Sequence, residues 1–292
     1  MSNQLVSELS FITQRQPDST ENDIKLWQTP NWFCIEYPRS ANHALRFYIS
    51  MDGSKVVSSK PDAIPDSDVD SFVLGPILGC VLRLRGRVCL HASVLESNGK
   101  AFAMIGHKGA GKSTTAAALL EAGARLISDD VAVIHRSNTN QFTVYPGYAG
   151  IRLMPDALSA FALNQNDYKL VVSSSDKRII PLDIWQPNKH ANQRWTFQPQ
   201  ACQLMAIYIL NRRRPDLINT QITTVPNTRA CIELTPHSYA RRVINKHQQH
   251  QEFAFMAQLT RHIPIKSVDR PNQLSYLPKI AEDLLSDLAA TA

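Results

Sequence analysis

"AMIGHKGAGKSTTAAALLEAGARLISDDVAVI", residues Ala103 to Ile134, is the stretch on which the fold class turns. Its first half holds GHKGAGKS, which satisfies the pattern G-x-x-x-x-G-K-S/T through Gly106, Gly111, Lys112 and Ser113. Gly109 and Gly111 permit a tight turn with inward-facing N–H groups, and a helix opening behind them adds its positive dipole end. A polyphosphate would meet donors on several sides there. Lys112 would bridge the β- and γ-phosphates, and the Ser113 hydroxyl would ligate Mg²⁺. AFAMI before the loop reads as a strand, and TTAAALLEAG after it as a helix with Gly123 at its C-cap. That order is the context a nucleotide site requires.

The second half brings Asp129 and Asp130 only seventeen residues after Lys112. They follow the apolar run RLIS, which puts them at the C-terminal end of a strand, the edge where open α/β sheets bind ligands. One carboxylate would then hold Mg²⁺ beside Ser113 while the other faces an incoming hydroxyl and takes its proton. The alternative is that one is the usual metal-side acid and the other caps a turn. Hydrolysis needs only water, whereas a kinase must position an acceptor, and a second acid serves that purpose. His91, in CLHAS one strand earlier, reads on its own as a core histidine rather than a catalyst.

The rest of the 292 residues bounds the answer. Charged residues make up 19% and hydrophobic ones 43%, the balance of an ordinary soluble globular chain. No basic start followed by an apolar core marks a signal peptide. The most apolar segment, SFVLGPILGCVLRLRGRVCL, is interrupted by Pro76, Arg83, Arg85 and Arg87, too soon to span a bilayer. A cytoplasmic protein with no membrane partner is expected. The five cysteines are scattered without metal-ligand spacing, so no zinc site is proposed. A net charge of +6 is mild, and its densest points, NRRRP (211–215) and ARR (240–242), lack interleaved aromatics. They read as solvated faces rather than a nucleic-acid track, and a basic rim around an anionic nucleotide or acidic substrate is compatible with them.

Residues 1–86 read as a small N-terminal α+β region and 87–292 as the main domain. The first 25 or so residues are polar and weakly patterned. WFCIEY and ALRFYISMDGSKVVSS read as short strands, the latter turning at Asp52-Gly53. An apolar helix is expected from Pro65–Asp68 to Gly86. VCLHASVLES and KAFAMIG flank Asn98-Gly99 as a hairpin, and ARLISDDVAVIHR follows the loop helix as a strand. NTNQFTVYPGYAGIRLMPDAL predicts a strand, a Pro-Gly turn and a short helix. CQLMAIYILNRR predicts a strand, and SYARRVINKHQQHQEFAFMAQLTRHI and NQLSYLPKIAEDLLSDLAA predict helices.

The run Leu90 to Ile134, with a histidine one hairpin ahead of the loop and an Asp-Asp pair after a single helix, resembles the HPr kinase/phosphorylase family, especially its HPr-kinase-like serine kinases, including those found beside lasso-peptide machinery. The likeness continues more weakly through VYPGYAGIRLMPDAL, and its strong part covers about a sixth of the chain. It implies an α/β fold: a P-loop core like the HPr kinase C-terminal domain, related to PEP carboxykinase, with a mixed sheet flanked by helices. It implies that Gly106, His107, Lys108, Gly109, Ala110, Gly111, Lys112, Ser113 and Thr114 bind ATP, and that Ser113 and Asp130 face Mg²⁺. Asp129 would be the base, with His91 hydrogen-bonded near it. Arg152, and less directly Lys177 and Arg178, would contact a phosphate or the acceptor. The implied partner is a peptide or protein with a serine hydroxyl, and related kinases form homo-oligomers. Around Val144 to Gly150 the sequence lacks the family's second acidic metal ligand, which removes the best support for HPr as substrate and for the reverse reaction. A nucleotide-binding regulator or slow NTPase, and a small-metabolite phosphotransferase, are the alternatives.

Overall fold

Alternating apolar residues from Trp32 onward build a first sheet. The computed structural model describes residues 10–11, 24–40, 43–184 and 195–291. The reading of the first 25 or so residues as polar and weakly patterned falls largely outside them. Five antiparallel strands lie in chain order: β1 (Ser10–Phe11), β2 (Lys25–Gln28), β3 (Trp32–Ser40), β4 (His43–Ser50) and β5 (Val56–Ser59). Phe33 and Ile35 of β3 and Leu45, Phe47 and Ile49 of β4 point to one face, where they bury Ile64, Ile77 and Cys80. The β4–β5 turn uses Gly53 at φ 67°, where a side chain would be strained.

The expected single helix from Pro65 to Gly86 is continuous but not regular. It runs as α1 (Asp66–Phe72), a π-helical turn (Val73–Ile77) and α2 (Leu78–Leu84). Pro76 lies inside the π turn. Proline cannot donate to the preceding turn and its ring crowds the carbonyl there, so the helix widens by a residue instead of breaking.

The second sheet grows from a hairpin. β6 (Val88–Ser97) and β7 (Lys100–Ile105) are joined at Asn98 and Gly99, both at positive φ, as a two-residue hairpin turn requires. Then come α3 (Lys112–Glu121), β8 (Arg125–Arg136), β9 (Phe142–Tyr145), β10 (Gly150–Leu153), α4 (Pro155–Ala160), β11 (Lys169–Leu170), β12 (Arg178–Pro181), β13 (Asp183–Ile184) and β14 (Thr196–Phe197). β15 (Cys202–Leu210), β16 (Gln221–Thr224), α5 (Asn227–Leu234), α6 (Lys246–His262), β17 (Ile265–Asp269) and α7 (Leu277–Ala290) complete the chain. Gly123 ends α3 at φ 93°, with the Ala124 N–H reaching back to the Leu119 carbonyl.

The mixed sheet has the order β13-β14-β8-β6-β7-β15-β17-β16. β9 bonds to both β8 and β15 and so closes β8, β6, β7, β15 and β9 into a ring. Phe102 and Met104 of β7 pack on α3 and α7, while Ala101, Ala103 and Ile105 face the other way, toward α5 and α6. The fold is thus α/β, a mixed sheet with helices on both faces. A separate small sheet, β10-β12-β11, lies beside α3 and β8.

One helix boundary departs from expectation. Residues 239–243 form turns, and α6 starts only at Lys246, where Asn245 and Gln248 exchange reciprocal capping bonds. Those turns are occupied elsewhere: Tyr239 packs where a Gly79 side chain would stand, 2.2 Å from the position of its Cβ.

Candidate active site

β7, β15 and β17 are parallel neighbours, so their C-terminal ends share one sheet edge. The loop 106–111 leaves β7 there and enters α3. Gly109 and Gly111 have φ of 82° and 90°, and a Cβ on Gly106 would stand 2.7 Å from the Leu210 carbonyl oxygen. These three positions therefore demand glycine. Lys112, buried at the start of α3, donates from Nζ to the Gly106 carbonyl at 2.8 Å. Burial pulls its ammonium below the ordinary lysine value, against the opposing charges of Asp129 and Asp130.

The acid pair does not sit at a strand end, as RLIS had implied; β8 continues through it to Arg136. The chain is bent out of pleat by other means. A one-residue register shift near Ile127 precedes the pair, and Asp130 itself adopts φ 87°. His91, Ser93 and Asp129 share the α3 side of the β6–β8 ladder, where Ser93 opposes Asp129. Regular alternation would send Asp130 to the opposite side; its left-handed backbone brings it back.

The pairings are the reverse of those expected. Ser113 Oγ lies 3.3 Å from both carboxylate oxygens of Asp129, not beside Asp130. Asp129 also accepts from Ser93 Oγ at 2.5 Å and from the Arg152 backbone N–H at 3.3 Å. His91 Nδ1 pairs with Asp130, 2.8 Å from its Oδ1, where a contact with Asp129 was expected. Arg152 Nη1 is 3.2 Å from Asp130 Oδ2, and the Tyr239 hydroxyl 3.5 Å from the same oxygen. Burial alone would raise the Asp130 carboxyl. The His91 hydrogen bond and the charges of His91, Arg152 and Lys177 outweigh it and hold the group below the usual carboxylate range.

Loop and acids line one cleft of about 380 Å³. Of the residues expected to bind a nucleotide, Lys108, Gly109, Gly111, Lys112, Ser113 and Thr114 face it, as do His91, Asp129, Asp130, Arg152 and Lys177. Gly106 and Ala110 lie behind the loop surface. The His107 ring turns toward His237, with centroids 5.5 Å apart, and Arg178 bonds to the Tyr168 carbonyl outside the cleft. Among the described residues no group of three or more His, Cys, Asp or Glu side chains is placed to hold a metal ion. A carboxylate and a hydroxyl, both hard oxygen donors, suit Mg²⁺ carried by a nucleotide, which needs few protein ligands.

No protein-family model and no curated protein matches this chain. Among solved structures it is similar to the HPr(Ser) kinase/phosphatase from Coxiella burnetii, with a TM-score of 0.35 and 14% identity. That overlay covers 69% of this chain and 96% of the other. A likeness so loose establishes neither a shared topology nor a shared activity.

Ser93, Tyr239 and Asp156 belong to this site or border it and were not singled out in the sequence. Ser93 had a signal, since it follows His91 by two on a strand and must share its face. Arg213, from the basic run NRRRP, also lines the cleft. Tyr239 had none, lying over a hundred residues beyond the acid it faces. Among the described residues no helix is long and apolar enough to cross a membrane.

Proposed function

We propose that this chain is an ATP-dependent kinase that transfers the γ-phosphoryl group to a hydroxyl, of the serine type, on a peptide or protein. What supports the reading is the meeting of a phosphate-loop sequence with two differently partnered carboxylates in one cleft. Bound MgATP supplies the phosphoryl group and the charge neutralisation that lets it leave. Lys108 and Lys112 and the loop amides hold the phosphates, and Ser113 with Asp129 forms the metal side. Asp130 accepts the proton of the acceptor hydroxyl, kept ionised and aimed by His91 and Arg152. These roles for the two acids follow the Ser113–Asp129 and His91–Asp130 contacts. On this reading the core is of the HPr-kinase-like type that the sequence resembles.

The test uses γ-labelled MgATP with serine-containing peptides and with lysate proteins as acceptors. Label on serine with wild type and its loss with Asp130→Asn is the expected result. Steady phosphate release with no labelled acceptor, equal in both proteins, would replace the kinase with a slow NTPase.

A further inference from the structure

A cation lies under the phosphate loop with no ion-pair partner among the described residues. Arg270, the residue after β17, has only 1% of its surface exposed and is among the largest fully buried side chains of the protein. Its Nη1 donates to the Asn211 carbonyl at 3.0 Å and its Nη2 to the Ala110 carbonyl of the loop. The same Nη2 would stand 3.3 Å from any Cβ on Gly111, so the glycine is also the space into which the guanidinium fits. Among the described residues no carboxylate comes within ion-pair distance of Arg270. The adjacent Asp269 instead accepts from Asn211 Nδ2 at 3.1 Å. Burying a charge without a partner is costly, and two carbonyl dipoles compensate it only in part.

A second cation converges on the same place. Arg213 is exposed, has no hydrogen bond or ion pair among the described residues, and lines both the main cleft and a small recess shared with Gly111, Thr114, Arg270 and Leu274. Each arginine follows the end of a parallel strand, β15 or β17, at the edge where the loop follows β7. The Arg214 N–H bonds to the Arg270 carbonyl at 2.9 Å, which ties the two segments together. Two guanidinium groups that share a recess whose lining holds no acid make a place for an anion.

We propose that Arg270 is a positioning residue that braces the Ala110–Gly111 turn from beneath and adds its charge to the anion site, and that Arg213 meets the nucleotide's phosphates directly on the Thr114 side. Burial, with Arg213 nearby, draws the Arg270 guanidinium down to about 10, so it stays charged at neutral pH. The inference rests on the nucleotide reading above, and the experiment separates the two.

Binding of MgATP and of inorganic tripolyphosphate is measured by calorimetry for the full chain and for Arg270→Lys, Arg213→Gln and Arg212→Gln, together with the thermal shift each ligand induces. Arg270→Lys keeps the charge but loses the two-carbonyl grip, and is expected to weaken both ligands about tenfold or more. Arg213→Gln is expected to weaken both about threefold to tenfold, with a shallower salt dependence. Arg212→Gln, outside both cavities, is expected to match wild type. Wild-type affinity in Arg270→Lys or in Arg213→Gln overturns the corresponding assignment. Equal weakening by Arg212→Gln overturns both, since net charge alone would explain it. If Arg270→Lys melts too low for calorimetry, a ligand-induced thermal shift equal to that of wild type overturns the brace and a smaller one supports it. A wild-type protein that binds neither ligand defeats the nucleotide reading itself.

Discussion

His91 Nδ1 lies 2.8 Å from Asp130 Oδ1 although strand alternation alone would place the two side chains on opposite faces of the sheet. The 87° φ of Asp130 removes that conflict. A non-glycine residue in the left-handed region costs energy, and aspartate bears it better than most. The two acids therefore face one cleft while keeping separate partners, and separate consequences for their removal.

Asp130→Asn retains shape and the tolerance for positive φ but cannot accept a proton. Group transfer should fall by about 10²- to 10⁴-fold while MgATP affinity stays within about threefold. Asp129→Asn, beside Ser113, should instead raise the Mg²⁺ concentration needed for half-maximal nucleotide binding. Calorimetry across a magnesium series, run beside a labelled-ATP transfer assay, distinguishes them. The opposite pattern would exchange the two roles.

Lys112 donates its ammonium to the Gly106 carbonyl at the mouth of the loop. Lys112→Ala should cost the charged hydrogen bonds made to a nucleotide, roughly 1.5–3 kcal/mol or more, and so about tenfold to a hundredfold or more in MgATP affinity. Fluorescent-nucleotide titration reads this directly. An unchanged Kd would mean that the loop binds no phosphate through this residue.

Gly75, in the π turn, touches the acid pair's surroundings. A Cβ there would stand 3.1 Å from both Arg152 terminal nitrogens and 3.3 Å from Asp130 Oδ2. Gly75→Ala is therefore expected to leave the melting temperature within a few degrees but to displace Arg152 and slow transfer several-fold at saturating ATP. A variant with wild-type kcat would show that the Arg152–Asp130 pair tolerates the push.

Gly79 and Tyr239 interlock at much closer range, 2.2 Å from the glycine's missing Cβ to the ring. Gly79→Ala should destabilise by about 1–3 kcal/mol through overpacking, less the roughly 1 kcal/mol that alanine returns in a helix. Adding Tyr239→Ala should remove the clash, so urea midpoints across the double-mutant cycle should depart from additivity. Additive losses would place the strain elsewhere.

His237 is buried, and burial, with the charges of His107, Lys112 and His91, pushes its imidazole down to about 4 from 6.5. Between those values the unfolded chain takes up a proton that the folded one refuses. Stability should therefore fall as pH drops from about 6.5 toward about 4, and the loss should level off below. In His237→Phe this component of the slope should disappear. Urea midpoints for both proteins across that pH range test it, and parallel curves would rule it out.

Local chemistry made part of this molecule readable in advance. The Asn98-Gly99 hairpin, the 106–113 loop and the Gly123 helix end are set by backbone freedom at named glycines and asparagine, which neighbouring residues alone reveal. His91, Asp129 and Asp130 were legible as residue types in a suggestive order. Their pairing was not, because it hangs on a register shift at Ile127 and one left-handed residue, and no local pattern announces either. Arg270 and Tyr239 were beyond reach for a different cause. Each acts on a segment more than a hundred residues earlier in the chain, so its meaning exists only after the sheet edge has formed.

The π turn at Val73–Ile77 amounts to one extra residue threaded into an otherwise ordinary helix. It rotates everything downstream by about a hundred degrees, the angle per residue of an α-helix. The same rod can thereby lay Ile77 and Cys80 against the first sheet and offer Gly75 to the Arg152 guanidinium. Shortening the rod by a residue to make it regular would leave one of those two surfaces facing the wrong way. The N-terminal portion is thus keyed to the cleft like a bolt cut to a single lock, and a substitute from another protein would have to carry the same irregularity to fit.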